Sequence, residues 1–287
     1  PQPALDWSPP FADDKAGPLL VVLHTWSGGY DQKGFGDACL VECETRDWAI
    51  VQPHFRGPNR RPEACGSDLA VQDVIDAVNY AKANVKIDPA RIYLVGTSGG
   101  GHMAMLMAGR HPNVWAGVSA WVGISDLAAW HAQTAEAGRT RYAKNIEAAV
   151  GGKPGASSEV DAQLRQRSPL THLPNAKGVA IDLNAGIHDG HTGSVPVSHT
   201  LHAFNVLAKT NGRPEARLTD AQINEMTDHR RIPAALADER VDEPNRKHPV
   251  LFRRVAGPAR VTIFDGGHTG DMGAAVAWLA EQRRRAN

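Results

Sequence analysis

RIYLVGTSGGGHMAMLMAGRHP, residues 91–112, decides how this chain folds. An apolar, β-branched run (91–96) passes through one serine set among glycines into an apolar helical pattern (100–112), which Pro112 stops. Glycine on both sides of a serine weakens a strand and adds nothing to a core. Gly96-Thr97-Ser98-Gly99-Gly100 fits G-x-S-x-G between a strand and a helix, the arrangement of a nucleophile elbow. Side chains at 96 and 100 would collide with the neighbouring strand and helix. In return, Ser98 Oγ is held out above the amino end of the helix. The alternatives are a glycine-rich βα turn packed for structure alone and a phosphate-binding turn. The latter lacks the lysine of G-x-x-x-x-G-K.

Outward from this turn the chain alternates strands with helices. Residues 18–24, 48–53, 115–124, 178–186 and 259–267 are further apolar, β-rich runs. Residues 68–85 carry apolar positions at 71, 74, 75, 78 and 81, a helical spacing; 195–209 and 272–284 also read as helices. Strands separated by helices imply an α/β chain with a doubly wound, mainly parallel sheet. Two stretches break the alternation, at about 125–177 and 211–250. They are expected to be insertions in a single domain spanning 1–287, leaving from the carboxyl ends of strands and covering the face where ligands bind in open α/β sheets.

Composition narrows the function classes. Apolar residues make up 42% and charged residues 22% of the 287, which fits a globular protein. Lys+Arg and Asp+Glu both number 31, so the chain lacks the basic surface on which nucleic-acid binding rests. The basic run Arg283–Arg285 is expected to close the last helix, complementing its dipole. No apolar run approaches the ~20 residues of a membrane span. Cys39, Cys43 and Cys65 allow one disulfide and a free thiol or three reduced thiols, and their spacing is a poor match to a zinc site. A start at Pro1 fits either a mature chain after signal removal or a trimmed one; a secreted or periplasmic protein is expected, with the cytoplasm as the alternative.

A serine hydroxyl is a weak nucleophile and needs a base oriented by a third group. In folds built around such an elbow the chain order is serine, acid, histidine. His268 follows the last strand, in FDGGH (264–268). Asp189 follows the strand at 178–186 and is the expected acid. Asp126, after the strand at 115–124, is the alternative; Asp182 lies within a strand and Asp265 within a turn. His102, inside the elbow helix, is expected to be structural.

Four segments together resemble the α/β-hydrolases of the prolyl-oligopeptidase/esterase branch: LVVLHTWSGG (20–29), DPARIYLVGTSGGG (88–101), GIHDGHTGSVPVSH (186–199) and GGHTGD (266–271). The resemblance spans nearly the whole chain except the insertions. It implies the α/β-hydrolase fold and a Ser98–His268–Asp189 triad. The oxyanion hole would use the N–H of Gly99 and, from His24-Thr25-Trp26, that of Trp26, with Thr25 as the alternative. Thr25 and Trp130 are candidates for the substrate pocket, whereas Trp121, inside an apolar strand, is expected to be core.

The implied activity is a serine carboxylic-ester hydrolase working through an acyl-enzyme, without metal or cofactor. Its expected substrate is a small-molecule or carbohydrate ester, such as an acetyl or feruloyl ester of plant carbohydrate. Peptidases of that branch carry a β-propeller ahead of this domain, which these residues do not contain. A peptidase or aminopeptidase on short peptides is the second reading, marked by an acidic anchor for a substrate amine near the insertions. A non-catalytic binding protein is the third, marked by a lost triad member; here all three are present.

Overall fold

The computed structural model describes residues 2–9 and 15–284. Its strands are β1 (Ala4–Trp7), β2 (Gly17–Leu23), β3 (Ala49–Pro53), β4 (Ile87–Thr97), β5 (Gly117–Trp121), β6 (Ile181–Gly186), β7 (Val250–Ala256) and β8 (Ala259–Phe264). They form one sheet in the order β1-β3-β2-β4-β5-β6-β8-β7. The interior pairs are parallel, and the edge strands β1 and β7 pair antiparallel with β3 and β8.

The period of two explains why the central strands read as continuous apolar runs. Leu19, Val21 and Leu23 enter the core on one face, while Leu20 and Val22 enter the core on the other. Ile92 and Leu94 alternate with Tyr93 and Val95 in the same way. The helices are α1 (Phe35–Arg46), α2 (Asp68–Asn84), α3 (Gly99–Arg110), α4 (Leu127–Glu136), α5 (Thr140–Val150), α6 (Ser158–Arg167), the short α7 (Pro169–His172), α8 (Ser198–Thr210), α9 (Asp220–His229) and α10 (Met272–Ala280). One face of the sheet is covered by α2, α3 and α8, the other by α1 and α10. Helix α2 begins where Ser67 Oγ accepts the N–H of Ala70, and it buries Ala70, Val71, Val74, Ala77, Val78 and Ala81 as one stripe.

The last helix is shorter than its sequence pattern. It ends at Ala280, and the chain then crosses to β4, where Arg284 N–H meets Ala90 O at 3.0 Å. Arg283 therefore does not close the helix but pairs with Asp88 at 3.1 Å, and Arg285 lies outside the described residues. The three cysteines are free and buried.

The first insertion, α4 to α7, forms a third apolar layer over the carboxyl ends of the strands. Leu127, Trp130, Ile146, Val160 and Leu164 pack there with Trp26, Cys65 and Val195 from the sheet loops. Each fully buried Leu, Ile or Val contributes roughly 1.5–3 kcal/mol, so this layer is docked firmly. The second insertion sends Leu218, Ile223, Met226 and Leu236 into the main core. It reaches the loop after β6 at Thr227, whose carbonyl lies 2.7 Å from His191 Nε2.

Candidate active site

At the elbow Ser98 adopts φ 60°, ψ −118°, a left-handed conformation rare for a residue with a side chain. Such strain costs on the order of 1–3 kcal/mol and persists only where surroundings over-determine it. Here Ser98 N–H donates to Trp121 O at 2.8 Å and Ser98 O accepts from His102 N–H at 2.9 Å. The glycines answer a packing demand. A Cβ at Gly96 would stand 2.2 Å from Gly100 O, and one at Gly100 would stand 2.3 Å from Leu23 O.

The loop after β2 closes on the same point. A Cβ at Gly99 would lie 2.3 Å from Trp26 N, so the backbones of the two expected oxyanion donors touch. The two candidate donors on this loop differ in their partners. The N–H and hydroxyl of Thr25 both donate to Gln32 Oε1, at 2.9 and 3.1 Å. The N–H of Trp26 has no acceptor among the described residues. Gly99 opens a helix, so its own N–H has no intrahelical partner. His24, just ahead, stacks on Phe55 at 3.7 Å and donates from Nε2 to His54 O at 2.7 Å, which ties this loop to the loop after β3.

Asp189 and His268 meet across two neighbouring loops. His268 Nδ1 donates to Asp189 Oδ2 at 2.7 Å, with the imidazole 23% exposed and the carboxylate fully buried. Asp189 Oδ1 accepts the N–H groups of Gly190 and Val195, at 2.8 and 3.1 Å. Gly193 leaves the space between them, since a Cβ there would sit 2.1 Å from Asp189 Oδ1 and 2.4 Å from His268 Cβ. Two residues beyond His268, Gly270 abuts the elbow: a Cβ there would lie 2.7 Å from Thr97 Oγ1. The other acids are occupied. Asp126 caps α4 through the N–H groups of Ala128 and Ala129. Asp182 is bound by Arg260, Ser119 and Asn184, and Asp265 pairs with His188 near the surface.

Trp130 departs from its expected place as a pocket wall. It is fully buried, 4.7 Å edge-on to Trp26, and its Nε1 donates to Ser194 O at 2.7 Å. The apolar ring and its single donor are both satisfied in the interior, which leaves nothing to face a cleft. Trp121 is buried as expected, beneath the Arg246 guanidinium at 5.1 Å. Thr25 is half-buried, turned toward Gln32 rather than free.

Three buried histidines outside the triad are held neutral. Burial lowers His24 and His102 to about 4 and His199 to about 3. His102 donates to Arg167 O at 2.8 Å, a structural role matching its expectation. His199 bridges Ser125 N–H, which it accepts, to Gln133 Oε1, to which it donates. Burial pushes the Cys43 and Cys65 thiols up to about 12 and raises Cys39 well above its ordinary value, so none supplies a thiolate nucleophile. Among the described residues no three His, Cys, Asp or Glu side chains gather as a metal site.

Comparison with known proteins bears on this arrangement. The sequence profile of the prolyl oligopeptidase family matches residues 43–239. Over 121 residues the chain is 38% identical to poly(3-hydroxyalkanoate) depolymerase C of Paucimonas lemoignei, covering 37% of this chain and 28% of that one. In structure it resembles the acylaminoacyl peptidase of Pyrococcus horikoshii, with TM-score 0.58 and 17% identity over 72% of this chain and 33% of that one. It also resembles a puromycin-hydrolyzing peptidase of Mycobacterium tuberculosis, with TM-score 0.56 and 20% identity over 72% of this chain and 31% of that one. The chain thus spans about a third of those proteins' length, and at such identities the likeness is one of fold.

Proposed function

The chain belongs to the prolyl oligopeptidase family of α/β-hydrolase serine hydrolases, and from that premise we propose that it cleaves carboxylic esters through an acyl-enzyme on Ser98. In this reading Ser98 Oγ attacks the ester carbonyl while His268 Nε2 takes its proton. Asp189 holds the imidazole in the tautomer that leaves Nε2 free and stabilises the imidazolium that forms. The N–H groups of Gly99 and Trp26 hold the oxyanion. His268 returns the proton to the departing alcohol. Water then repeats the sequence on the acyl-enzyme and frees the acid.

The observation that carries the mechanism is the 2.7 Å bond from His268 Nδ1 to a carboxylate already fixed by two backbone N–H groups. The choice of an ester over an amide is supported by the depolymerase relative, whose named polymer is a polyester. With Trp121 and Trp130 both in the interior, a short acyl group such as acetyl suits the site better than a flat feruloyl group. The family and its structural neighbours favour a second reading, hydrolysis of short peptides or aminoacyl amides. A panel of p-nitrophenyl esters beside aminoacyl-p-nitroanilides separates the two. Ester reading predicts turnover of the acetate and butyrate esters and little on the anilides; faster anilide cleavage would reverse it.

A further inference from the structure

Three hydrogen bonds from the first insertion end on the loop that carries Asp189. Trp130 Nε1 donates to Ser194 O at 2.7 Å. The Arg139 guanidinium donates to Gly190 O and His191 O, at 3.1 and 3.2 Å. The loop between them turns its N–H groups inward: those of Gly190 and Val195 bind Asp189 Oδ1. Ser194 O and Val195 N–H belong to the same peptide group. A continuous hydrogen-bond chain therefore runs from the Trp130 indole, through that peptide, to Asp189, which accepts from His268 on its other oxygen. Hydrogen bonds in such a chain polarise one another, so the Trp130 donor strengthens the bond that the peptide makes to the carboxylate. On its other side Trp130 stands edge-on at 4.7 Å to Trp26, whose backbone N–H is the proposed second oxyanion donor.

We propose that Trp130 and Arg139 are positioning residues, and that the insertion at 125–177 sets the acid and the oxyanion loop rather than touching substrate. The proposal rests on the reading of Asp189 and Trp26 given above. Two observations separate it from a lid or a pocket wall. Trp130 is fully buried and its only donor is in use. Arg139 spends its planar fork on two consecutive carbonyls of the acid loop, a geometry that lysine cannot copy. Triad geometry tolerates displacements of only about 0.5 Å, so side chains that fix the loop act on turnover without meeting the ester.

The test is a double-mutant cycle on p-nitrophenyl acetate. Trp130→Phe keeps the ring against Trp26 and removes the donor. Arg139→Gln, at a half-exposed position, repeats the test should Trp130→Phe not fold. Each is made in the wild-type chain and in Asp189→Asn. Trp130→Phe is expected to lower kcat about tenfold with KM within about twofold, and to lower it less than about twofold once Asp189 is Asn. Arg139→Gln follows the same pattern with a smaller loss. An equal fall in both backgrounds, an unchanged kcat, or a several-fold rise in KM would overturn the proposal. Failure of the underlying reading looks different: Asp189→Asn alone would then keep wild-type ester turnover.

Discussion

Replacing Gly99 by alanine tests the oxyanion hole at its narrowest point. The added Cβ would lie 2.3 Å from Trp26 N and 2.4 Å from Trp26 Cα. That is about 1 Å short of ordinary van der Waals contact, and the obstacle is backbone, which cannot swing aside like the end of a side chain. The loop after β2 must therefore retreat by about that distance. Oxyanion donors work within about 2.7–3.1 Å of the charge they stabilise, so a retreat of about 1 Å removes one of the two. The expected loss in kcat is about 10²–10³, or about 2.7–4 kcal/mol of transition-state stabilisation. KM should stay within about twofold, because the ground-state carbonyl makes little use of the hole. Overpacking also costs about 1–3 kcal/mol of stability, so kcat on p-nitrophenyl acetate is read well below the thermal transition of each variant. Gly17→Ala serves as control, since its nearest atom would be 3.9 Å away. A Gly99→Ala enzyme with wild-type kcat would refute the pairing of Gly99 with Trp26.

Asp189→Asn is expected to cut kcat by about 10³–10⁴, through the loss of the partner that orients His268. Asp126→Ala should instead lower stability by about 1 kcal/mol, as a lost helix cap, and leave turnover unchanged; the opposite pattern in kcat would exchange their roles. The buried histidines set an acid limit on stability. Because folding lowers His24, His102 and His199 below the ordinary value of 6.5, the unfolded chain takes up protons first as pH falls. Stability is whole above about pH 6.5 and declines toward about pH 4, by up to about 4 kcal/mol per pH unit for the three together. Urea midpoints measured from pH 7.5 to 4.5 check this, and a flat profile between 6.5 and 5 would contradict it.

The sequence carried the fold wherever local pattern and tertiary burial coincide. Leu19 to Leu23 are apolar at every position because both faces of the sheet are covered, and the run says so directly. β7 escaped notice because Arg253 and Arg254 interrupt its apolar pattern; their partners, Glu243 and Glu239, come from the insertion before it. α1 was equally hidden, since FGDACLVECETR buries only Cys39 and Cys43, one turn apart. In the site, the glycine pattern around Ser98 is legible because it is chain-local, and Asp189 and His268 stand out because each lies in the loop that follows a strand, β6 or β8. The burial of Trp130 was not: its indole binds a carbonyl 64 positions downstream, a contact that no spacing along the chain encodes. The engagement of both Thr25 donors by Gln32 is likewise a tertiary feature that the HTW pattern does not show.

The most direct test of the account is to trap the acyl-enzyme. Mixing the protein with p-nitrophenyl acetate, quenching in acid at early times and mapping the peptides by mass spectrometry locates the covalent bond. The account predicts a burst of one p-nitrophenol per chain and one acetyl group on the peptide containing Ser98, both absent in Ser98→Ala. An acetyl group on another residue with Ser98 unmodified, or a burst that survives Ser98→Ala, would contradict it.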